Sequence, residues 1–218
     1  MPRESHDYRR ISGIRKPDLI VIAFEGKNTE PQYFESYKEQ ILDQLNSQLK
    51  LKILNGRKSH QSSPTDVINE LDEFKKEFSL NAGDELCAVI DRDKQSWSEK
   101  QLSDVAKKCD QKKYLLALSN PCFELWLILH HIDVSNLSDE KKEQILENKN
   151  EHMKKLIRSH VGSYNPSKLN FDDFKEGISL AVERAEKLDL GNKGRWPNKI
   201  GTRVYLIVKK IQNIIDNM

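Results

Sequence analysis

The stretch “LIVIAFEGKNTEPQYF”, residues 19–34, decides the fold class of this chain. Its first half is rich in β-branched residues and almost unbroken in apolar character, which is typical of a strand buried on both faces of a parallel sheet. A strand is therefore predicted over 18–24 and a helix from about 30 to 47, with Pro31 tolerated in its first turn. The stretch predicts a strand–turn–helix unit in which a carboxylate, Glu25, stands where the strand ends.

Three further segments are predicted to be strands. “LKLKIL” (49–54) alternates polar and apolar residues, whereas “ELCAVIDRD” (85–93) and “KYLLALSN” (113–120) are largely apolar runs. Helical patterns separate these segments, and strands that alternate with helices imply right-handed crossovers and a mostly parallel sheet. We therefore predict an α/β fold with a mostly parallel four-stranded sheet flanked by helices, followed by an α-helical C-terminal region.

The chain is expected to divide into three parts. These are a basic flexible arm over 1–17, an α/β domain over 18–131, and an all-helical region over 132–218 that packs on the domain. The segment after the fourth strand, “PCFELWLILHH”, is predicted to be a helix with Asn120 as its N-cap and Pro121 at its first position.

Composition excludes several classes of protein. The net charge of the 218 residues is only +2, so overall charge identifies no partner, and three cysteines without a CxxC pair argue against a disulfide framework or a structural zinc site. The N-terminus has no signal-peptide core, and apolar runs such as “LWLIL” at 125–129 are too short to span a bilayer. We expect a soluble, cytoplasmic protein without a membrane partner; its oligomeric state is left open by the apolar stripes of the C-terminal helices.

Polar groups suited to chemistry follow three of the predicted strands, at the edge where ligands of an open parallel sheet bind. They are Glu25 and Gly26 after the first strand, Asp91 and Asp93 at the end of the third, and Glu124 shortly after the fourth. Residues two apart project to the same side of an extended chain, so the two aspartates can face one site. Oxygen ligands of this kind suit Mg²⁺ or Mn²⁺.

Each of these acids also has an ordinary explanation. A strand-end aspartate often caps a turn, Glu30 can simply favour the dipole of the helix that starts there, and Glu124 can be a surface residue. Gly26 can serve a sharp turn, or it can let a phosphate approach the backbone. The combination favours a site, because clustered carboxylates destabilise a protein unless a cation or a shared proton offsets them.

Three motifs carry a resemblance to a known family. They are “EGKNTEPQYF”, “VIDRD” and “LALSNPCFELWLILHH”. They resemble the RloB family of prokaryotic defence-associated proteins, whose core is similar to Toprim domains, the catalytic fold of topoisomerases, primases and OLD-type nucleases. The resemblance covers most of the chain. It implies that Glu25 is a general acid/base or metal ligand and that Asp91 and Asp93 bind Mg²⁺ or Mn²⁺.

The resemblance also extends to neighbouring positions. Gly26 fills the glycine position beside the glutamate, and Glu30, Asn120 and Glu124 match further family motifs. We expect Glu124 to contact a second metal or the substrate, and Asn120 to cap a helix.

Together these features predict a metal-dependent nuclease that hydrolyses RNA, tRNA for example, or DNA, as an effector of antiviral defence. The expected catalytic residues are Glu25, Asp91, Asp93 and Glu124. The expected substrate contacts are Gly26, Lys27, Glu30, Arg57, His60, Asn120, Arg195 and Arg203. The basic segment 187–210 also holds Trp196 and Tyr205, which either stack on exposed bases or belong to the core.

Two alternatives stay open. The first is a non-catalytic Toprim-like subunit that binds a nucleotide or a partner protein of a defence locus, such as a sensor, without cutting anything. The second is a nucleotidyl transferase that uses the DxD motif for metal, although no phosphate-cradling “GxxxxGK” loop occurs in the chain.

Overall fold

A computed structural model of the chain describes residues 18–45, 49–54, 63–92 and 97–216. The predicted arm over 1–17 and three predicted site residues, Arg57, His60 and Asp93, lie outside these ranges.

A five-stranded sheet forms the centre of the protein, in the order β2–β1–β3–β4–β5. The strands are β1 (Asp18–Phe24), β2 (Leu49–Leu54), β3 (Glu85–Asp91), β4 (Leu115–Asn120) and β5 (Gly201–Thr202). The first four are parallel to one another, and β5 pairs antiparallel with β4. The mostly parallel α/β fold predicted from the sequence is confirmed, with one more strand than predicted.

Eight α-helices lie within the described residues. They are α1 (Thr29–Tyr37), α2 (Pro64–Glu77), α3 (Glu99–Lys112), α4 (Glu124–Leu129), α5 (Asp139–Glu147), α6 (His152–Val161), α7 (Ile178–Asp189) and α8 (Val204–Asp216). After α1 the chain continues as one π-helical turn, Lys38–Leu42, and one 3₁₀ turn, Asp43–Leu45, so the described part of the helix predicted over 30–47 consists of three different helical pieces.

Apolar side chains cover both faces of the sheet. On one face, Ile20 and Ile22 of β1 join a core that includes α1, α4, α7 and α8. On the other, Val21 and Ala23 of the same strand pack with residues of α2 and α3. Because neighbouring residues of a strand point to opposite faces, a strand buried on both sides needs the unbroken apolar run seen in its sequence.

Local capping sets where the flanking helices begin and end. Ser63 and Asp66 form a capping box at the start of α2, and Ser98 with Gln101 forms another at α3. Helix α3 ends at Lys112, and its C-cap, Lys113, has a left-handed φ of 59°, so β4 starts at Leu115 and not at 113 as predicted.

The predicted start of the helix after β4 was wrong. Helix α4 begins at Glu124 with Phe123 as its N-cap, whereas Asn120 is the last residue of β4 and Pro121 follows it through a cis peptide bond. The C-terminal region is α-helical as predicted, apart from the two residues of β5 that it supplies to the sheet. The boundaries proposed for the domains stay predictions. None of the helices in the described ranges has the length and apolar character needed to cross a membrane.

Candidate functional site

Four carboxylates, each from a different part of the fold, meet at the carboxyl edge of the sheet. Glu25 follows β1 directly and Asp91 ends the neighbouring strand β3, while Glu30 lies in the first turn of α1 and Glu124 is the first residue of α4. The parallel pairing of β1 with β3 brings the two strand ends side by side, and the Glu25 backbone N–H donates to the carbonyl of Val89 at 3.0 Å. We call these four residues the acid cluster.

Glu25 is held in place by two hydrogen-bond donors. The backbone N–H of Asp91 donates to its Oε2 at 3.2 Å, and the indole Nε1 of Trp97 donates to its Oε1 at 2.7 Å. The sequence reasoning missed Trp97, because it lies in a loop beyond β3 and no local pattern ties it to a residue 72 positions earlier. Each carboxylate oxygen of Glu25 is therefore oriented by the protein.

Asp91 combines a buried, unpartnered carboxyl oxygen with a raised pKa. The residue is partly at the surface, but its Oδ1 is buried and has no hydrogen-bond partner within the described ranges. Burial, followed by the negative charges of Glu30, Glu124 and Glu25, raises the pKa of Asp91 well above its usual value, although a hydrogen bond from the backbone of Phe123 to the carboxyl opposes the shift. A buried acceptor without a partner costs stability, so this oxygen is suited to a ligand.

Glu30 is buried next to Gly26. Only 8% of Glu30 is exposed, and burial together with the charges of Glu124 and Glu25 raises its pKa from 4.5 to about 7, although its own backbone hydrogen bond opposes the shift. A Cβ atom on Gly26 would overlap the Glu30 carboxylate and displace it, so glycine permits the close approach of this side chain. Burial and the raised pKa distinguish Glu30 from an exposed acid that only favours the helix dipole.

Glu124 contributes charge to the whole site. It is half-buried at the start of α4, and its negative charge raises the pKa of Asp91, of Glu30 and of the thiol of Cys122, each of which is raised chiefly by burial. The neighbouring charges that act on Asp91 and Glu30 are those of other carboxylates.

The donor chemistry of the acid cluster fits a hard divalent cation. All of its side chains offer oxygen, and the unpartnered Oδ1 of Asp91 is the group that an ion would satisfy. As the side chains lie, no three His, Cys, Asp or Glu groups in the described parts of the chain are arranged to hold a metal. Asp93, the other half of the predicted metal-binding pair, falls outside those parts.

A second polar network lies beside the acid cluster, at the ends of β3 and β4. Arg92 is 8% exposed and donates from Nη1 to the Asn198 carbonyl at 3.0 Å and from Nη2 to Glu99 at 3.2 Å. Asn120 is fully buried, and its Nδ2 donates to the carbonyls of Pro197 and Lys199 at 3.2 and 2.9 Å. The expectation that Asn120 caps a helix was wrong, because its side chain fastens the segment before β5.

Arg203 completes this network, which we call the arginine network together with Arg92 and Asn120. Its Nε donates to both oxygens of Asp189, at 3.2 and 3.0 Å, and its Nη atoms donate to the carbonyls of Asn192, Gly194 and Arg195. The guanidinium therefore holds the loop over 192–199. The contact of Arg203 with substrate stays a prediction.

The remaining predicted contacts divide into buried and exposed residues. Tyr205 is 7% exposed and its hydroxyl donates to Asp189 at 3.1 Å, so it belongs to the core and is not available to stack on a base. Trp196 is half-buried against the α2–α3 side of the sheet. Arg195 is exposed and pairs with Asp110 at 3.0 Å, and Lys27 is exposed in the turn after β1.

Comparison with known proteins supplies a family. The model of the family described as RloB-like protein matches residues 20–211, a range that includes all four acids of the cluster and the arginine network. No curated protein and no solved structure matched the chain.

Proposed function

We propose, given that the chain belongs to the RloB-like protein family, that it is a metal-dependent nuclease that hydrolyses phosphodiester bonds in RNA or DNA. The observation that carries the proposal is the buried, unpartnered Oδ1 of Asp91 amid three further carboxylates. Clustered carboxylates lower the stability of the folded chain unless a cation offsets their repulsion. Several acids with strongly shifted pKa values in one place are typical of active sites.

Asp91 would hold Mg²⁺ or Mn²⁺, with Asp93 as a further predicted ligand, and Glu25 would serve either as a third ligand or as a general base. When bound, such an ion polarises the scissile phosphate and lowers the pKa of a coordinated water. The position of Asp91 at the end of a buried central strand gives the ligand a rigid support.

The acids of this chain can also transfer the protons of the reaction. In hydrolysis the oxygen of a water forms a bond to phosphorus, and the bond from phosphorus to the leaving oxygen breaks. Where Glu25 does not itself hold the ion, its carboxylate, oriented by Trp97, would take the proton that the water loses. Glu30, with a pKa of about 7, can give a proton to the leaving oxygen at neutral pH.

Exposed basic residues near the same edge support nucleic acid as the substrate. The loop over 192–199 carries Lys193, Arg195 and Lys199 at the surface, and the arginine network anchors this loop to the ends of β3 and β4. Phosphate contacts of this kind bind a backbone without reading sequence. We propose a compact structured RNA such as tRNA, or a single-stranded site, over a long duplex; the defence role is proposed from the family resemblance.

A non-catalytic binding subunit is the second candidate. The observation that favours it is the absence, among the described residues, of three side chains already arranged around an ion. A subunit of this kind would bind a nucleotide or a partner protein and would leave nucleic acid intact.

A cleavage assay separates the two functions. The purified protein is incubated with total tRNA, single-stranded DNA or plasmid, with Mg²⁺ or Mn²⁺ and with EDTA. The nuclease proposal predicts metal-dependent cleavage that Glu25→Gln and Asp91→Asn each reduce by more than about 100-fold. Asp72→Asn is the matched control, because Asp72 bonds Lys112 and Tyr114 away from the acid cluster. No cleavage of any substrate, with no binding of Mn²⁺ by calorimetry, would contradict the proposal.

A further inference from the structure

A cavity of about 420 Å³ is lined by the end of α6, by the loop over 162–170 that follows it, and by Asp173 and Phe174. Its volume lies in the range that is typical of sites for small molecules. None of the residues that line it belongs to the acid cluster or to the arginine network. The cavity is therefore a separate feature, which the proposed function does not use.

Hydrogen bonds fix the loop, so the cavity is preformed. Gln32 of α1 bonds the loop twice: its Nε2 donates to the carbonyl of Pro166 at 3.3 Å, and its Oε1 accepts from the N–H of Leu169 at 2.9 Å. On the other side, Nε of Arg158 donates to the carbonyl of Tyr164 at 3.3 Å. A site that is ordered beforehand loses less conformational entropy when a ligand binds.

Two cationic side chains of the cavity have no acidic partner. Arg158 and Lys168 are both exposed, and within the described ranges neither of them forms an ion pair with a carboxylate. Lys154, on the same helix as Arg158, does have such a partner, because it pairs with Glu151 at 2.7 Å. Two cations without partners on one cavity favour an anionic ligand, and a guanidinium and an ammonium both bind phosphate.

The other groups of the cavity suit a ligand that carries more than a phosphate. Asp173 is the one acid among the described residues that line the cavity; its Oδ1 accepts from Asn170 Nδ2 at 3.0 Å, and its Oδ2 receives no hydrogen bond from the described residues. A carboxylate oxygen of this kind can accept a hydrogen bond from a hydroxyl group, such as those of a ribose. Tyr164 and Phe174 supply the apolar part of the lining.

We propose that this cavity is a second binding site of the protein and that it takes a nucleotide unit. Arg158 and Lys168 hold the phosphate of the nucleotide, and Asp173 accepts a hydrogen bond from a ribose hydroxyl. The inference goes beyond the proposed function and does not rest on it. A free mononucleotide and a nucleotide within a single-stranded RNA offer the same chemistry, so both are tested.

The test is calorimetric titration of the protein with AMP, with a short single-stranded RNA and with inorganic phosphate. EDTA is present throughout, so that no divalent ion binds at the acid cluster. At least one of the two nucleotide ligands is expected to bind about tenfold more tightly than inorganic phosphate, because phosphate alone cannot donate to Asp173 from a ribose hydroxyl. Binding of AMP assigns the site to a free nucleotide, and binding of the RNA without AMP assigns it to a strand.

Lys168→Met is the decisive variant, because the Lys168 side chain makes no hydrogen bond within the described part of the chain and its loss should leave the urea unfolding midpoint unchanged. It should weaken binding of the nucleotide ligand about tenfold, as should Arg158→Met. Lys155→Met is the matched control, since Lys155 is an exposed lysine of α6 that does not line the cavity, and its affinity should stay within about twofold of the unaltered protein.

Three results would overturn the inference. Equal affinity of the unaltered protein and Lys168→Met would place the nucleotide elsewhere on the protein. Equal affinity for inorganic phosphate and for the nucleotide ligands would remove the contact with Asp173 and the assignment to a nucleotide. No binding of AMP or of RNA would remove the site. Each of these results would leave the nuclease proposal standing, because the titrations contain no metal and measure no cleavage.

Discussion

The acid cluster and the arginine network occupy the same edge of one sheet, but they differ in whether their charged groups have partners of opposite charge. In the arginine network both guanidiniums have carboxylate partners, Glu99 for Arg92 and Asp189 for Arg203, and their other donors reach backbone carbonyls. In the acid cluster, burial and then neighbouring carboxylates raise the pKa of Asp91 and of Glu30, and a buried oxygen of Asp91 has no partner among the described residues.

The difference separates stability from function. The two guanidiniums of the arginine network, which protein groups satisfy, hold a loop in place and need no ligand, although the buried Oδ1 of Asn120 has no partner among the described residues. A cluster whose members repel lowers the stability of the folded chain, and such a feature is expected where a ligand or a reaction requires it. We therefore assign the arginine network to structure and the acid cluster to chemistry, and each assignment can be tested separately.

The largest effect on stability is expected from breaking the arginine network. Arg203→Met would leave the carboxylate of Asp189, whose side chain is 11% exposed, without its cation and would free three backbone carbonyls. The free energy of unfolding should fall by about 3 kcal/mol, measured by urea denaturation. Arg203→Lys should recover only part of this loss, because an ammonium cannot reproduce the paired geometry of the guanidinium. A loss below about 0.5 kcal/mol in Arg203→Met would contradict a structural role.

Removing one charge from the acid cluster should raise the free energy of unfolding, whereas breaking the arginine network lowers it. The folded-state pKa of Glu30, about 7, lies above its ordinary value of 4.5, so the folded protein binds the proton more tightly and stability falls as pH rises between these values. Glu30→Gln should therefore raise the free energy of unfolding, on the order of 3 kcal/mol above pH 7 without metal. The gain should vanish near pH 4.5, and a gain that is independent of pH would mean that Glu30 is not the titrating group.

Trp97 tests whether the orientation of Glu25 matters for the reaction. Trp97→Phe removes the N–H that donates to Glu25 Oε1 and should lower the metal-dependent cleavage rate about 10- to 100-fold, as loss of a partner that orients a metal ligand does. Trp196→Phe is the matched control, since the Nε1 of Trp196 is buried and makes no hydrogen bond among the described residues. Equal activity of the two variants would show that the indole bond to Glu25 is dispensable.

The smallest effect is expected at Gly26. A Cβ at this position would displace the buried carboxylate of Glu30, so Gly26→Ala should lower the free energy of unfolding by about 1 kcal/mol and weaken Mn²⁺ binding measured by calorimetry. Gly191→Ala serves as the control, because a Cβ there meets no atom within 4 Å. If Gly26→Ala bound Mn²⁺ as the unaltered protein does, close packing of Gly26 on Glu30 would have no bearing on the site.

Most of the sheet could be predicted from the sequence, because β1 and β3 are buried on both faces and therefore read as continuous apolar runs. Strand β5 could not, since two residues have no periodicity and its pairing with β4 joins positions far apart in the chain. The start of α4 was misplaced for a related reason. Asn120 before a proline is a local signal for a helix start, but its amide is used by the distant carbonyls of Pro197 and Lys199.

The residues of the candidate site also divide into those that could be predicted from the sequence and those that could not. Glu25 and Asp91 could be placed together from sequence because parallel neighbouring strands end at one edge of the sheet. Trp97 could not, since a tertiary contact ties the loop that carries it to Glu25. The sequence also could not distinguish a basic residue that is free for substrate from one such as Arg203, whose partner Asp189 lies on the preceding helix.

The most direct test of the central claim is a crystal structure of the protein soaked with Mn²⁺ at pH 8, where Glu30 is ionised. The account predicts an anomalous-scattering peak within about 2.3 Å of Asp91 Oδ1 and of the Glu25 carboxylate. It also predicts that the peak disappears in crystals of Asp91→Asn. Full occupancy of manganese elsewhere on the surface, with Asp91 Oδ1 still unpartnered, would contradict the assignment of the acid cluster to metal-dependent chemistry.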